Sequence, residues 1–324
     1  MRPFEPHALL RNPHLQTLAS TFLIRHFPAL PPGVVRDFEV EPGTRIRGYC
    51  HWQAAPREHP TLVLIHGLEG SADSGYMLGL AERAFKLGWN AVRLNQRNCG
   101  GTESLTPTLY NSGLSRDFSA VLLELIETDS LPEIFFAGYS MGGNLILKMA
   151  GEFAGNAPRQ LRAVAGVCPS IELGVCADAV GLRHNFIYQE HFVRNLKNRM
   201  QRKAQMYPGE FDLREMNKVK TLREFDNVIT ATYFGFLDAT DYYAKSSALR
   251  VAADISVPAR IVTAQDDPFV PFSIFSDPTL MNNPCIEVIA PKHGGHCAFV
   301  SRYPGAERFW AENCLMEFFT SRLS

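Results

Sequence analysis

The segment EIFFAGYSMGGNLILKMA, residues 133–150, decides the fold. An apolar run of the kind that forms a buried strand precedes Gly138, and a helical pattern follows Gly142. The five residues between them have the pattern G-x-S-x-G. In this context the two glycines predict a turn too tight for side chains at their positions, which would hold Ser140 at the end of a buried strand as a candidate nucleophile.

Short apolar runs of the same kind recur on both sides of this segment, and amphipathic helical patterns separate them. The predicted strands are Thr61–Ile65, Asn90–Leu94, Ile134–Ala137, Arg162–Val167, Arg260–Ala264 and Ile286–Ile289, and the predicted helices include Gly75–Leu87, Ser115–Thr128 and about Ala306–Arg322. Continuously apolar strands that alternate with helices indicate a parallel sheet covered on both faces. The sequence therefore predicts an α/β fold with a doubly wound, mostly parallel sheet, preceded by a strand pair (Val34–Glu41 and Arg45–Trp52) that turns at Pro42-Gly43.

The alternation stops between about residues 173 and 248, where helical patterns occur without a clear strand. These patterns cover His191–Met206, Leu213–Lys220 and Thr221–Ile229, and Thr221 and Glu224 have the spacing of a capping box. Predicted sheet strands lie on both sides of this stretch. We therefore expect a single domain over 1–324, with an N-terminal arm at 1–33 and a helical lid inserted at about 173–248.

Composition excludes several classes of protein. The chain has 324 residues, of which 46% are hydrophobic and 20% charged, and its 32 basic and 33 acidic residues give a net charge of −1. This is an ordinary globular composition, not that of a disordered or fibrous chain. Without a net positive charge the chain lacks the long-range field typical of nucleic-acid binding, so we expect no nucleic-acid partner.

A serine is a weak nucleophile at neutral pH and requires a general base and an orienting acid. Two later segments supply candidates at the ends of predicted strands: Asp266 or Asp267 after Arg260–Ala264, and His293 or His296 after Ile286–Ile289. We favour His296, because the two glycines before it allow a closely packed loop that delivers an imidazole to the serine. Ligands of parallel sheets bind at the carboxyl ends of the strands, where these groups would meet.

The glycine-containing segment HGLEG at 66–70 follows the strand Thr61–Ile65. Acyl transfer needs hydrogen-bond donors for the oxyanion of its tetrahedral intermediate, and this loop has the expected position. The predicted donors are the backbone N–H groups of Leu68 and Met141.

Together these segments resemble the α/β-hydrolase superfamily and, more narrowly, the YheT-like esterases, which are related to the mammalian abhydrolase-domain lipid hydrolases. The resemblance rests on LRNPHLQT (10–17), HGLEGS (66–71), NQRNCGG (95–101), FD (225–226), FGF (234–236), DYY (241–243) and DDPF (266–269). It implies a serine carboxylic ester hydrolase with a helical lid and a triad in the order Ser, Asp, His. The spacing from Asp267 to Pro271 matches the acid turn of the superfamily, which favours Asp267 over Asp266. Asn98 departs from the Arg-Gly-Cys pattern expected there.

The expected reaction is hydrolysis of short- to medium-chain acyl or lipid-like esters through an acyl-enzyme on Ser140. The alternatives are a thioesterase or acyltransferase with the same triad, and a catalytically silent binding module with this fold. We predict no cofactor, because the sequence lacks phosphate-binding and dinucleotide-binding glycine motifs, and no metal, because the spacing of its histidines is not that of a metal site.

Two further expectations concern the surroundings of the protein. Seven scattered cysteines without a C-x-x-C pair predict reduced thiols, and the N-terminus has prolines and charges where a signal peptide needs an apolar run, so we expect a cytoplasmic protein. A basic run at Arg194, Lys197, Arg199, Arg202 and Lys203 lies on a predicted lid helix. It is interpreted either as a solvated helix face or as a peripheral contact of the lid with anionic lipid.

Overall fold

The computed structural model describes residues 2–323, and the strands of this range form one sheet of eight strands. They are β1 (Val34–Glu41), β2 (Thr44–His51), β3 (Thr61–Ile65), β4 (Asn90–Leu94), β5 (Ile134–Tyr139), β6 (Leu161–Val167), β7 (Ala259–Val262) and β8 (Ile286–Ile289). Their order across the sheet is β1-β2-β4-β3-β5-β6-β7-β8. β2 pairs antiparallel with both β1 and β4, and every other pair is parallel, which confirms the mostly parallel sheet.

Helices connect the strands and cover both faces of the sheet. They are α1 (Pro13–Phe22), α2 (Gly75–Lys86), α3 (Ser115–Glu127), α4 (Met141–Phe153), α5 (Leu173–Val180), α6 (Phe186–Met206), α7 (Leu222–Phe225), α8 (Thr232–Phe234), α9 (Ala239–Ser246), α10 (Pro278–Met281) and α11 (Trp310–Thr320). None of the helices within residues 2–323 is long and apolar enough to cross a membrane.

The core is divided by the sheet into two layers. Side chains of β3 alternate between them: Val63 and Ile65 pack with α3 and α4 on one face, whereas Leu62 and Leu64 pack with α2 and α11 on the other. All five residues of β3 are buried. A strand buried on both faces has no polar side to alternate with, which is why it reads as a continuous apolar run.

The segment 173–248 contains helices and no strand, as the sequence predicts. Thr221 and Glu224 form the expected capping box before α7. The prediction of a helix over Leu213–Lys220 is wrong, since only one 3-10 turn (Met216–Lys218) forms there. The capping box requires an extended conformation at Thr221 (φ −126°, ψ 161°), so a helix cannot continue through it. After α7 the chain forms a π-helical segment, Asp226–Ala231, which the sequence analysis did not predict.

Candidate active site

The turn between β5 and α4 holds Ser140 in a strained conformation. Ser140 has φ 52° and ψ −119°, in a region that costs a residue with a side chain about 1–3 kcal/mol. A Cβ at Gly138 would lie 2.2 Å from the carbonyl oxygen of Gly142, and a Cβ at Gly142 would lie 2.5 Å from backbone oxygens of the loop after β3. Only glycine fits at either position, so the G-x-S-x-G pattern is a steric requirement of this turn.

Asp267 and His296 are paired beside this turn. Asp267 follows β7, and its Oδ2 lies 2.8 Å from Nδ1 of His296. The Asp267 side chain is fully buried, and its Oδ1 accepts hydrogen bonds from the N–H groups of Phe269 (2.8 Å) and Val270 (3.0 Å). Ser140 and His296 line the same pocket. The structure therefore brings together the serine, the histidine and the acid that the sequence analysis favours.

The carboxylate of Asp267 affects both the pKa and the tautomer of His296. Burial opposes the charged imidazolium, but the adjacent Asp267 carboxylate outweighs this effect and raises the pKa of His296 above its ordinary value. An imidazole whose Nδ1–H is held by a carboxylate presents Nε2 as the proton acceptor.

Asp266 and His293 form a separate, more exposed pair. Nδ1 of His293 lies 3.2 Å from Oδ2 of Asp266, and the His293 side chain is half exposed. Oδ1 of Asp266 accepts a hydrogen bond from the N–H of Gly295 at 3.0 Å. Asp266 thus braces the loop that carries His296.

The N-terminal helix α1 supports the same loop, a contact that sequence reasoning missed. Oγ1 of Thr17 accepts a hydrogen bond from the N–H of His296 at 2.9 Å and donates one to the carbonyl of Pro13 at 2.7 Å. Gln16 exchanges two hydrogen bonds with the backbone of Val300, at 3.1 and 3.2 Å. Asn12 caps α1 and Pro13 occupies its first turn. This Asn-Pro start was the signal for a helix in the arm.

The loop after β3 lies against the serine. A Cβ at Gly67 would be 3.0 Å from Cβ of Ser140, so the loop backbone closely approaches the nucleophile. Burial lowers the pKa of His66 to about 4, and this ring is therefore neutral. Its Nδ1 donates to the carbonyl of Gly67 (2.7 Å) and its Nε2 accepts from the N–H of Gln96 (3.1 Å). Leu68 and Met141, the predicted oxyanion donors, both line the pocket with Ser140.

A buried ion pair fixes the residue after Leu68 to the helix α6. Glu69 has φ 56°, and its carboxylate accepts two hydrogen bonds from the Arg199 guanidinium, at 3.0 and 3.2 Å. The hydroxyl of Tyr110 donates to the same carboxylate at 2.5 Å. Arg199 also donates to the carbonyl of Asn98, a residue with φ 62°. That conformation suits glycine and is tolerated by asparagine, so Asn98 can replace the glycine expected from the resemblance.

The pocket over Ser140 is mostly apolar, and it is lined by residues that follow the sheet strands and by residues of the segment 173–248. Its apolar lining comes from Leu68, Leu109, Met141, Leu173, Cys176, Ala177, Val180, Phe192, Leu196, Met200, Leu222, Phe225, Ile229, Phe269 and Val270. The lining also contains a group of polar residues: Asp226, Thr230 and Tyr243. An apolar pocket with a few polar groups is typical of a binding site for a largely apolar small molecule.

One group of side chains in residues 2–323 has the composition of a metal site. The ligand atoms of Cys168, Cys297 and His296 lie within 4.8 Å of one another. Burial raises the pKa of the Cys168 thiol well above its usual range, so this sulfur stays protonated and is a poor ligand. We assign no metal to this group.

Comparison with known proteins agrees with this architecture. Residues 60–303 match the family model of the alpha/beta hydrolase fold. The chain belongs to the α/β-hydrolase family.

Within that family the chain is similar to YheT of Escherichia coli (strain K12), a protein named as an esterase: the two are 31% identical over 323 residues, which cover 99% of this chain and 94% of YheT. It is also 27% identical to mouse phospholipase ABHD3, over 79% of this chain and 60% of that protein. Among solved structures, the esterase Pf2001 of Pyrococcus furiosus superimposes with a TM-score of 0.62 at 14% identity, covering 93% of this chain and 98% of Pf2001. The protein is thus an enzyme of the esterase- and lipase-like hydrolases, as the sequence predicts.

Proposed function

We propose that the protein is a serine carboxylic ester hydrolase that acts through an acyl-enzyme on Ser140. The observation that carries this proposal is the buried Asp267–His296 pair in the same pocket as a serine held in the strained turn of G-x-S-x-G. A silent binding module has no need of either feature.

In the first half-reaction, Oγ of Ser140 attacks the ester carbonyl carbon while Nε2 of His296 takes the hydroxyl proton. The negative charge moves to the carbonyl oxygen, which the N–H groups of Leu68 and Met141 stabilise. The bond from carbon to the alcohol oxygen then breaks, and the imidazolium gives its proton to the leaving alcohol. Asp267 keeps the imidazole in the correct tautomer and stabilises its charged form.

In the second half-reaction, water attacks the acyl carbon as His296 accepts its proton. The bond to Oγ breaks, the proton returns to Ser140, and the carboxylic acid leaves. The apolar lining of the pocket favours an acyl chain of short to medium length or a lipid-like ester, a choice that the phospholipase relative also supports. None of these steps requires a cofactor.

A fluorophosphonate probe, which labels activated serines, tests this assignment. We expect labelling of the intact protein and its loss in Ser140→Ala. Ser170→Ala is the matched control, because Ser170 lines the same pocket. Labelling that persists in Ser140→Ala, or that disappears in Ser170→Ala, contradicts the proposal. A series of p-nitrophenyl esters of increasing acyl length, compared with matched thioesters, then gives the preferred chain and bond.

A further inference from the structure

Asp226 adds a carboxylate to the mostly apolar pocket that contains Ser140 and His296. Oδ1 of Asp226 accepts a hydrogen bond from the hydroxyl of Thr230 at 2.6 Å, and Oδ2 accepts one from the hydroxyl of Tyr243 at 2.7 Å. All three side chains line the pocket that contains Ser140 and His296. Two carboxylate oxygens together offer about four acceptor sites, so these two hydroxyls leave acceptor capacity on Asp226.

No arginine or lysine neutralises this carboxylate by direct contact in the described range 2–323. The neighbouring Arg223 bonds to Asp178 instead, at 2.6 and 3.1 Å. Burial raises the pKa of Asp226 to about 6, which leaves the group mostly ionised at neutral pH. An ionised carboxylate beside Phe225 and Ile229 is costly unless further donors reach it.

The backbone at Asp226 is also irregular. Asp226 is the first residue of the π-helical segment Asp226–Ala231, inserted between α7 and α8. Such segments are rare inside helices and frequently occur at functional sites. This observation is independent of the hydrogen bonds, and it indicates that Asp226 does more than join α7 to α9 through Tyr243.

We propose that Asp226 is a subsite that accepts a hydrogen bond from a free hydroxyl of the ester substrate. The inference rests on the proposed function and narrows its substrate class to esters that carry a hydroxyl. A carboxylate accepts only from donors, and the buried Arg199 in the same pocket disfavours a ligand cation. The hydroxyl lies either on the alcohol part, as in a glycerol monoester, or on the acyl chain.

The experiment compares esters with the same acyl chain length: glycerol monooctanoate, ethyl octanoate and ethyl 8-hydroxyoctanoate. We expect the intact protein to have a higher kcat/KM for at least one hydroxyl-bearing ester than for ethyl octanoate. In Asp226→Asn, the ratio of kcat/KM for that ester to kcat/KM for ethyl octanoate falls on the order of tenfold, since a neutral amide oxygen replaces the charged acceptor. The hydroxyl-bearing ester that responds shows which part of the substrate carries the hydroxyl.

Tyr243→Phe is the matched control. This change removes the hydrogen bond between α9 and Asp226, which Asp226→Asn only weakens, and it keeps the carboxylate. If Asp226 binds the substrate hydroxyl, the preference for the hydroxyl-bearing ester should persist in Tyr243→Phe. If Asp226 has only a structural role, the two variants should change this preference equally. The proposal is overturned if the intact protein shows no preference for either hydroxyl-bearing ester, or if Asp226→Asn leaves the ratio unchanged. Failure of the proposed function is distinct: ethyl octanoate would then be untouched, or cleaved equally by Ser140→Ala.

Discussion

The ion pair between Glu69 and Arg199 gives the sharpest prediction about how the site is held. Both side chains are more than nine-tenths buried, and the pair joins α6 to the loop that carries the proposed oxyanion donor Leu68. The change Arg199→Met removes the guanidinium but keeps an unbranched apolar side chain. It leaves the Glu69 carboxylate buried, with Tyr110 as its one remaining side-chain donor.

Removing one partner of a buried pair leaves an uncompensated charge, which costs about 3–5 kcal/mol of unfolding free energy. Arg194→Met is the control on the same helix. The Arg194 side chain is exposed, so its loss should cost about 0.5 kcal/mol or less. The two variants remove the same charge from neighbouring turns, and they differ in burial.

Urea unfolding followed by tryptophan fluorescence measures both costs. The double variant Glu69→Gln/Arg199→Met should recover part of the lost stability, because no charge is then left unpaired. We expect its loss of unfolding free energy to be smaller than the sum of the two single losses by about 0.5–3 kcal/mol. Because Leu68 precedes Glu69, kcat should fall more than KM rises, by at most the 10²–10³-fold that loss of one oxyanion donor causes. Equal destabilisation by Arg199→Met and Arg194→Met, or strictly additive single effects, refutes the reasoning.

Three further predictions concern the triad and its supports. Asp267→Asn should lower kcat by about 10³–10⁴-fold. Because the carboxylate raises the pKa of His296, the activity that remains should persist to lower pH than in the intact protein, and a pH profile of kcat/KM that moves to higher pH contradicts this. Thr17→Val leaves the buried N–H of His296 without its acceptor, so we expect a loss of about 1–3 kcal/mol in urea unfolding and a lower kcat; kinetics equal to those of the intact protein show that the contact is dispensable. Gly142→Ala places a Cβ 2.5 Å from two backbone oxygens and should cost about 3 kcal/mol or more, whereas Gly155→Ala meets no atom within 4 Å and should change stability by about 0.5 kcal/mol or less, so similar melting temperatures of the two variants count against the steric argument.

The sequence predicts the strands and the positions of Ser140, Asp267 and His296 for one physical reason. Each of these residues follows a short apolar run, and parallel strands bring their carboxyl ends to one edge of the sheet. The resemblance favours Asp267 over Asp266, whereas the residues alone leave both open. Neighbours in sequence face different surroundings, and the burial and hydrogen bonds of each carboxylate become visible only in the folded chain.

The basic run on α6 is divided between buried and exposed positions. Arg199 and Lys203 are buried, and Lys203 donates to two backbone carbonyls, so these charges are not available to a lipid surface. Arg194 and Arg202 remain exposed, and contact of the lid with anionic lipid stays a prediction. The signal was present in the spacing: positions 196, 199, 200 and 203 share one helix face, and apolar residues at 196 and 200 mark that face as buried. A charge on such a face predicts a buried partner.

Different contacts hold the serine, the loop after β3 and the histidine in place. Substitutions elsewhere in the chain should therefore affect these three parts differently. Ser140 is fixed locally, because β5, the two glycines and α4 leave its turn no alternative. The oxyanion loop depends on α6 through Arg199. His296 follows Gly294 and Gly295, both with positive φ, and is positioned from outside by Asp267 and by Thr17, 279 residues earlier in the chain. The histidine is therefore the least locally determined member of the proposed triad, and changes in the N-terminal arm should affect proton transfer before they affect the proposed nucleophile.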